Sequence, residues 1–271
     1  MDHIVLYTLL ATLGTWFLTA LGSATVVFFR SPSQKLLDFL LGFSSGVMIA
    51  ASFWSLLQPA IERAELLHQA AKAAPPFIVA TVGFLSGALF LWASDQIVSC
   101  ARHHAQAPSI RHKDHRNRIL MLILSITLHN IPEGLAVGVA FGLIKGSHYT
   151  IESLMAAISI AIGIGLQNFP EGAAVSLPLR REGYSRKRSF LLGQASGMVE
   201  PVAGVLGVLL VVYVEVMLPY ALSFAAGAMI LVAVHELIPE CQSSQEEQPY
   251  FATMGIILGF AVMMLLDVML G

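Results

Sequence analysis

Charge is scarce in this chain. Of its 271 residues only 12% are Asp, Glu, Lys or Arg, while 56% are hydrophobic. A soluble domain carries about 25% charged residues. A mean hydropathy of +0.74 leaves too little polar surface to clothe a water-exposed globule of this size. The shortage excludes a soluble enzyme, a nucleic-acid binder and a disordered regulator, and points to an integral membrane protein whose solvent is the lipid bilayer. Cysteine is scarcer still. Cys100 and Cys241 are too few for a disulfide framework or a cysteine zinc site. No Lys or Arg precedes Arg30, so the first apolar stretch lacks the basic start of a cleaved signal peptide and reads as a retained span.

What the chain does have is long apolar runs. Residues 3–29, 39–61, 73–94, 216–235 and 248–266 contain no charged side chain, and 119–144, 153–179 and 189–214 contain one carboxylate each and no base. A helix needs about 20 apolar residues to cross the hydrocarbon. The runs predict an all-α integral membrane protein with eight transmembrane helices, over about 3–29, 36–61, 75–99, 118–145, 152–180, 187–214, 216–239 and 249–270. They lack the alternation of barrel strands and are too long for them. The whole chain, 1–271, is expected to be one transmembrane domain. Twelve of the 15 basic residues lie in the loops after odd-numbered helices. The positive-inside rule puts those loops in the cytoplasm, which leaves both termini outside and the protein in the cell (inner) membrane. Segment 100–117 is the longest polar stretch and carries His103, His104, His112 and His115. It reads either as a basic cytoplasmic loop that fixes topology or as a weak site of metal capture.

The chemistry is concentrated in three spans. The fourth holds His129-Asn130-Ile131-Pro132-Glu133-Gly134, and the fifth holds Gln167-Asn168-Phe169-Pro170-Glu171-Gly172, 38 residues later. Positions i and i+4 share a helix face, so His129 pairs with Glu133 and Gln167 with Glu171. Each proline removes an N–H and frees the carbonyl one turn earlier, which predicts broken helices 4 and 5 of the kind that line transporter sites. The sixth span adds Glu200 before Pro201. An ionised carboxylate costs roughly 3 kcal/mol at the centre of a span, and these three spans hold no base to offset it. Protonated, hydrogen-bonded kinks would satisfy them; so would a bound cation, for which His, Glu and Gln supply suitable N and O donors.

HNIPEG, then QNFPEG, then GMVEP resembles the ZIP family of divalent-metal transporters, in particular its prokaryotic GufA-like branch, over the whole chain. The resemblance implies a ZIP-like bundle, dimers, and uptake of Zn²⁺ or a related metal towards the cytoplasm, with the metal as cargo and no cofactor. It implies a first metal position of His129, Glu133, Gln167 and Glu171, approached by the thioether of Met48. A second would use Asn130, Glu133, Asn168, Glu171 and Glu200, though Asn168 stands where some members carry aspartate. It also implies that helices 1, 4, 5 and 6 move against 2, 3, 7 and 8.

Polar residues elsewhere are weaker signals. His235, Glu236 and Glu240 at the end of helix 7 form either an exit station or a polar helix end stopped by Pro239; the HExxH metalloprotease motif fails, because position 239 is proline. Ser52 and Ser55 could line an entrance, or bond back to their own helix. Asp95 and Asp267 read as interface anchors. Gly42, Gly46 and Ala50 make a small-residue series suited to close packing. Cadmium, iron and manganese would also accept the mixed N/O site. An intramembrane metal-dependent hydrolase and a sensor without flux are the competing functions. The first needs an open water position and a separate base.

Overall fold

The computed structural model describes residues 2–28, 33–70, 74–105, 127, 130–142, 144, 150–181, 183–213, 215–242 and 250–270. Among these residues the secondary structure is helical throughout, with no strand. Helix α1 is Asp2–Ala24, closed by a 3₁₀ turn Thr25–Val27. Then follow α2, Gln34–Ala51, and α3, Gln58–Gln69, joined by a π-helical turn Ser52–Leu57 into one rod. Next come α4, Pro76–Ala105, α5 at 130–142, and α6, Ile151–Arg181. The pair α7, Arg186–Ser196, and α8, Val199–Tyr213, form the next rod. Helices α9, Leu218–Val232, and α10, Ile238–Gln242, flank a second π-turn, Ala233–Leu237. Helix α11 is Tyr250–Leu270.

Seven rods among the described residues are long and apolar enough to cross a membrane. Part of the span expected at 118–145 lies outside the described residues, and 130–142 of it is helical. The interruptions differ from those expected. Ile151–Arg181 runs through Pro170 without a break, since one missing donor does not stop a helix packed on its neighbours. The sixth span breaks instead, at the turn 197–198. Both π-turns end two residues before a proline, Pro59 and Pro239. A widened turn relieves the clash between a proline ring and the preceding turn. Helix α4 continues to Ala105, past the end expected at 99.

Local chemistry sets the connections. Ser33 and Ser185 cap α2 and α7, accepting from Leu36 N–H and Arg188 N–H. Gly183, at φ +94°, closes α6: Tyr184 N–H donates to Leu179 O and Gly183 N–H to Arg180 O, both at 3.2 Å. That pairing requires a left-handed residue at the glycine position.

The helices form two groups. Helix α1 lies against α6, α7 and α8, and α8 against α5; α2 lies against α11, and α4 against α9. The main core spans both, from Val47, Met48 and Ala50 of α2 to Val137 and Ala140 of α5 and Ile160 and Ile164 of α6. The small-residue series on α2 does what its spacing suggests. A Cβ on Gly46 would stand 2.0 Å from the Ile256 carbonyl oxygen of α11, so the two backbones touch only because it is absent.

Candidate metal centre

The glycines that close the two hexads are crossing points. A Cβ on Gly134 would sit 2.5 Å from Glu200 O, and one on Gly172 would sit 2.1 Å from Thr19 O. The first crossing brings α8, with Glu200 in its first turn, against α5. The second brings α1 against α6. Four helices therefore meet at the hexads, and Asn130, Glu133, Gln167, Asn168 and Glu200 are all buried there.

Two carboxylates are held in different ways. Gln167 Nε2 donates to Glu133 Oε1 at 2.8 Å, and Glu133 Oε2 has no partner among the described residues. Glu200 is fully engaged. Thr15 Oγ1 donates to its Oε2 at 2.5 Å, and Asn168 Nδ2 lies 2.9 Å from Oε1 and 2.8 Å from Oε2. Glu171 is half-buried and accepts from Ser44 Oγ of α2 at 2.7 Å.

The amides follow one pattern. Asn130 Nδ2 donates to Ser196 O at 2.8 Å, Gln167 Nε2 to Glu133, and Asn168 Nδ2 to Thr15 O at 3.2 Å as well as to Glu200. In each, the NH₂ group is spent on an acceptor, and the carbonyl oxygen is buried without a partner among the described residues. With Glu133 Oε2 that makes four orphaned oxygens, all on the two hexads. A buried unpaired acceptor costs about 1–3 kcal/mol. Oxygens of this kind are what a divalent cation recruits. No group of three or more His, Cys, Asp or Glu that could hold a metal gathers among the described residues; the donor set is mixed carboxylate and amide.

Of the other expected residues, Met48 is fully buried in the main core. Ser52 Oγ donates to Met48 O at 2.7 Å, the back-bond that serines in spans commonly make. His235 and Glu240 are exposed and Glu236 is half-buried, around the second π-turn. His129, His112 and His115 lie outside the described residues. His103 and His104 fall in the last turn of α4, and their side chains are not among those described. Asp267, expected at the interface, is half-buried. Its Oδ1 accepts from Ser55 Oγ at 2.7 Å and Ser159 Oγ at 3.5 Å, because α11 turns this face towards α6 and the first π-turn.

Thr15, Thr19 and Ser44 were not expected from the motifs. A signal existed for the first two. Thr8, Thr12, Thr15, Thr19 and Ser23 recur every three or four residues along an otherwise apolar helix, and all five are buried. Such a stripe marks the face of α1 turned to protein.

Comparison with known proteins agrees over nearly the full length. A profile of the family described as "ZIP Zinc transporter" matches residues 4–118 and 105–267. Zinc transporter ZIP11 of Xenopus tropicalis is 43% identical, and that of Homo sapiens 40%, each match covering 98% of both chains. Zinc transporter GufA of Myxococcus xanthus is 36% identical over 97% of this chain and 98% of its own. With seven rods able to span a bilayer among its described residues, this chain is a multi-pass membrane protein, and it belongs to the ZIP family of zinc transporters.

Proposed function

We propose that the protein carries zinc or a related divalent cation across the cell (inner) membrane towards the cytoplasm, as a homodimer with both termini outside. The observation that carries this reading is the set of four buried, unpartnered oxygens on the paired hexads: Asn130 Oδ1, Glu133 Oε2, Gln167 Oε1 and Asn168 Oδ1. Buried oxygens of this kind are what a divalent cation recruits, and reversible binding suits donors of which most are neutral amides. The names of the relatives favour zinc.

The cargo position we assign to Glu133, Gln167 and Glu171, joined by His129 and the Met48 thioether. Glu133 and Glu171 supply charge, Gln167 a carbonyl oxygen, and His129 an imidazole nitrogen. Asn130, Asn168 and Glu200, expected beside them as a second position, are each held by hydrogen bonds of their own. His235, Glu236 and Glu240 would receive the ion at the cytoplasmic mouth, and His103 and His104 at the end of α4, with His112 and His115 after it, would form a weaker site of capture beyond.

Zinc uptake into proteoliposomes tests the reading. The unmodified protein should load zinc, and Glu133→Ala should insert but fail to. Metal binding without uptake would make the protein a sensor. Metal-dependent peptide cleavage without uptake would make it a hydrolase.

A further inference from the structure

Resting on that transport reading, we infer that the centre of this chain holds one divalent ion rather than two, because the second position is filled from within by the Asn168 carboxamide and the Thr15 hydroxyl closed on Glu200.

The contrast between the two fully buried glutamates carries the inference. Glu133 has one engaged oxygen and one bare oxygen. Both oxygens of Glu200 are engaged: Asn168 Nδ2 straddles them at 2.9 and 2.8 Å, and Thr15 Oγ1 adds a 2.5 Å bond to Oε2. The amide N–H groups thus stand over the carboxylate in the place a cation would take. An aspartate at 168 has no proton to donate there and would repel Glu200 unless a cation lay between them. With asparagine the attraction is supplied by the side chain itself.

The amide cannot turn over to offer its oxygen on that side. Its nitrogen faces three acceptors, the two Glu200 oxygens and Thr15 O, the last at 3.2 Å. Rotation would set Oδ1 against all three. Nor can the acceptors retreat easily. Thr15 O belongs to the backbone of α1, which is pinned one turn later where Gly172 meets Thr19 O. Glu200 sits where Gly134 meets α8. Asn168 Oδ1 is left over, unpartnered, as an oxygen for the single ion. Thr15 acts on the cargo only through Glu200 and Asn168, so it is a positioning residue.

Equilibrium dialysis of the purified full-length protein against zinc tests this. The quantity read is the bound zinc that Glu133→Ala removes, which sets aside zinc held by loop histidines. The expected value is one ion per chain in the unmodified protein and still one in Glu200→Gln. Asn168→Asp should raise it to two. A count of two in the unmodified protein, falling to one in Glu200→Gln, would overturn the inference and leave the transport reading standing. A count of zero, with Glu133→Ala removing nothing, would overturn both. Anomalous scattering at the zinc edge from the unmodified protein decides the matter without any variant: one peak among α1, α5, α6 and α8 supports the inference, and two peaks refute it.

Discussion

Gln167 holds Glu133 by one oxygen only: its Nε2 lies 2.8 Å from Oε1, and Oε2 is buried with no partner among the described residues. The contact joins α5 to α6 across the two hexads. It fixes the rotamer of an acid whose other oxygen stays available, as outer contacts around metal ligands commonly do. Gln167→Ala should therefore weaken zinc affinity by at least about 10–100-fold, the usual effect of removing such a support, since the Gln167 Oε1 assigned to the cargo is lost with it. Calorimetric titration checks this; unchanged affinity would show that the pair plays no part in binding.

Glu133→Ala and Glu171→Ala should each abolish zinc uptake in proteoliposomes while the protein still inserts. Each removes one of the two charged donors assigned to the cargo position. Uptake at the unmodified rate in both variants would refute the centre.

Thr15→Val should lower stability by about 1–3 kcal/mol, because Glu200 Oε2 loses a donor while remaining buried. Thr15→Ser should restore it. Thermal melting in detergent reads the difference. A valine variant as stable as the unmodified protein would mean that the 2.5 Å contact contributes nothing.

The crossing of α2 and α11 can be tested by glycine substitution. Gly46→Leu must push against the Ile256 carbonyl, 2.0 Å from where its Cβ would lie, and should cost at least about 1–3 kcal/mol as overpacking. Gly14→Leu is the control, since nothing lies within 4 Å of a Cβ there. Equal melting temperatures for the two variants would remove the close approach.

Topology follows from charge. In a background with Cys100 and Cys241 replaced by serine, a cysteine at Ser109 should resist an impermeant thiol reagent in intact cells and react after lysis. Labelling before lysis would reverse the proposed orientation, which rests on the 12 of 15 basic residues in odd-numbered loops.

The membrane class and the hexads were legible because they are local. A run without charge reports a span, and a carboxylate inside one reports chemistry. The role of Gly134 and Gly172 was not. After a proline a glycine reads as a loosened helix, but both are where another backbone passes, and a crossing depends on the partner helix. For the same reason Ser44 and Ser55 could not be assigned to Glu171 and Asp267 from spacing. They join residues 127 and 212 positions apart. The break at 197–198 carries no proline of its own; Pro201 lies just beyond it, and the helix with the more conspicuous Pro170 runs straight through.

The π-turns change the frame in which the protein-facing residues are counted. Along α2 the buried face includes Leu37, Leu41, Ser44, Met48 and Ser52. Counted onward at an ideal 3.6 residues per turn, it would continue through positions 55, 59, 62 and 66. Ser55, within the turn, still follows that count and is buried; beyond the turn the buried residues are instead Ala60, Ala64 and Leu67, while Glu62 is exposed and Leu66 is 58% exposed. One residue in Ser52–Leu57 is silent in the count. It rotates the second half of the rod so that Glu62 faces away from the core. The second π-turn does the same, leaving Cys241 buried and Glu240 exposed. Deleting one residue from either turn would shift the frame back and drive a glutamate into the bundle. A helix here can therefore lose a residue less easily than it can exchange one.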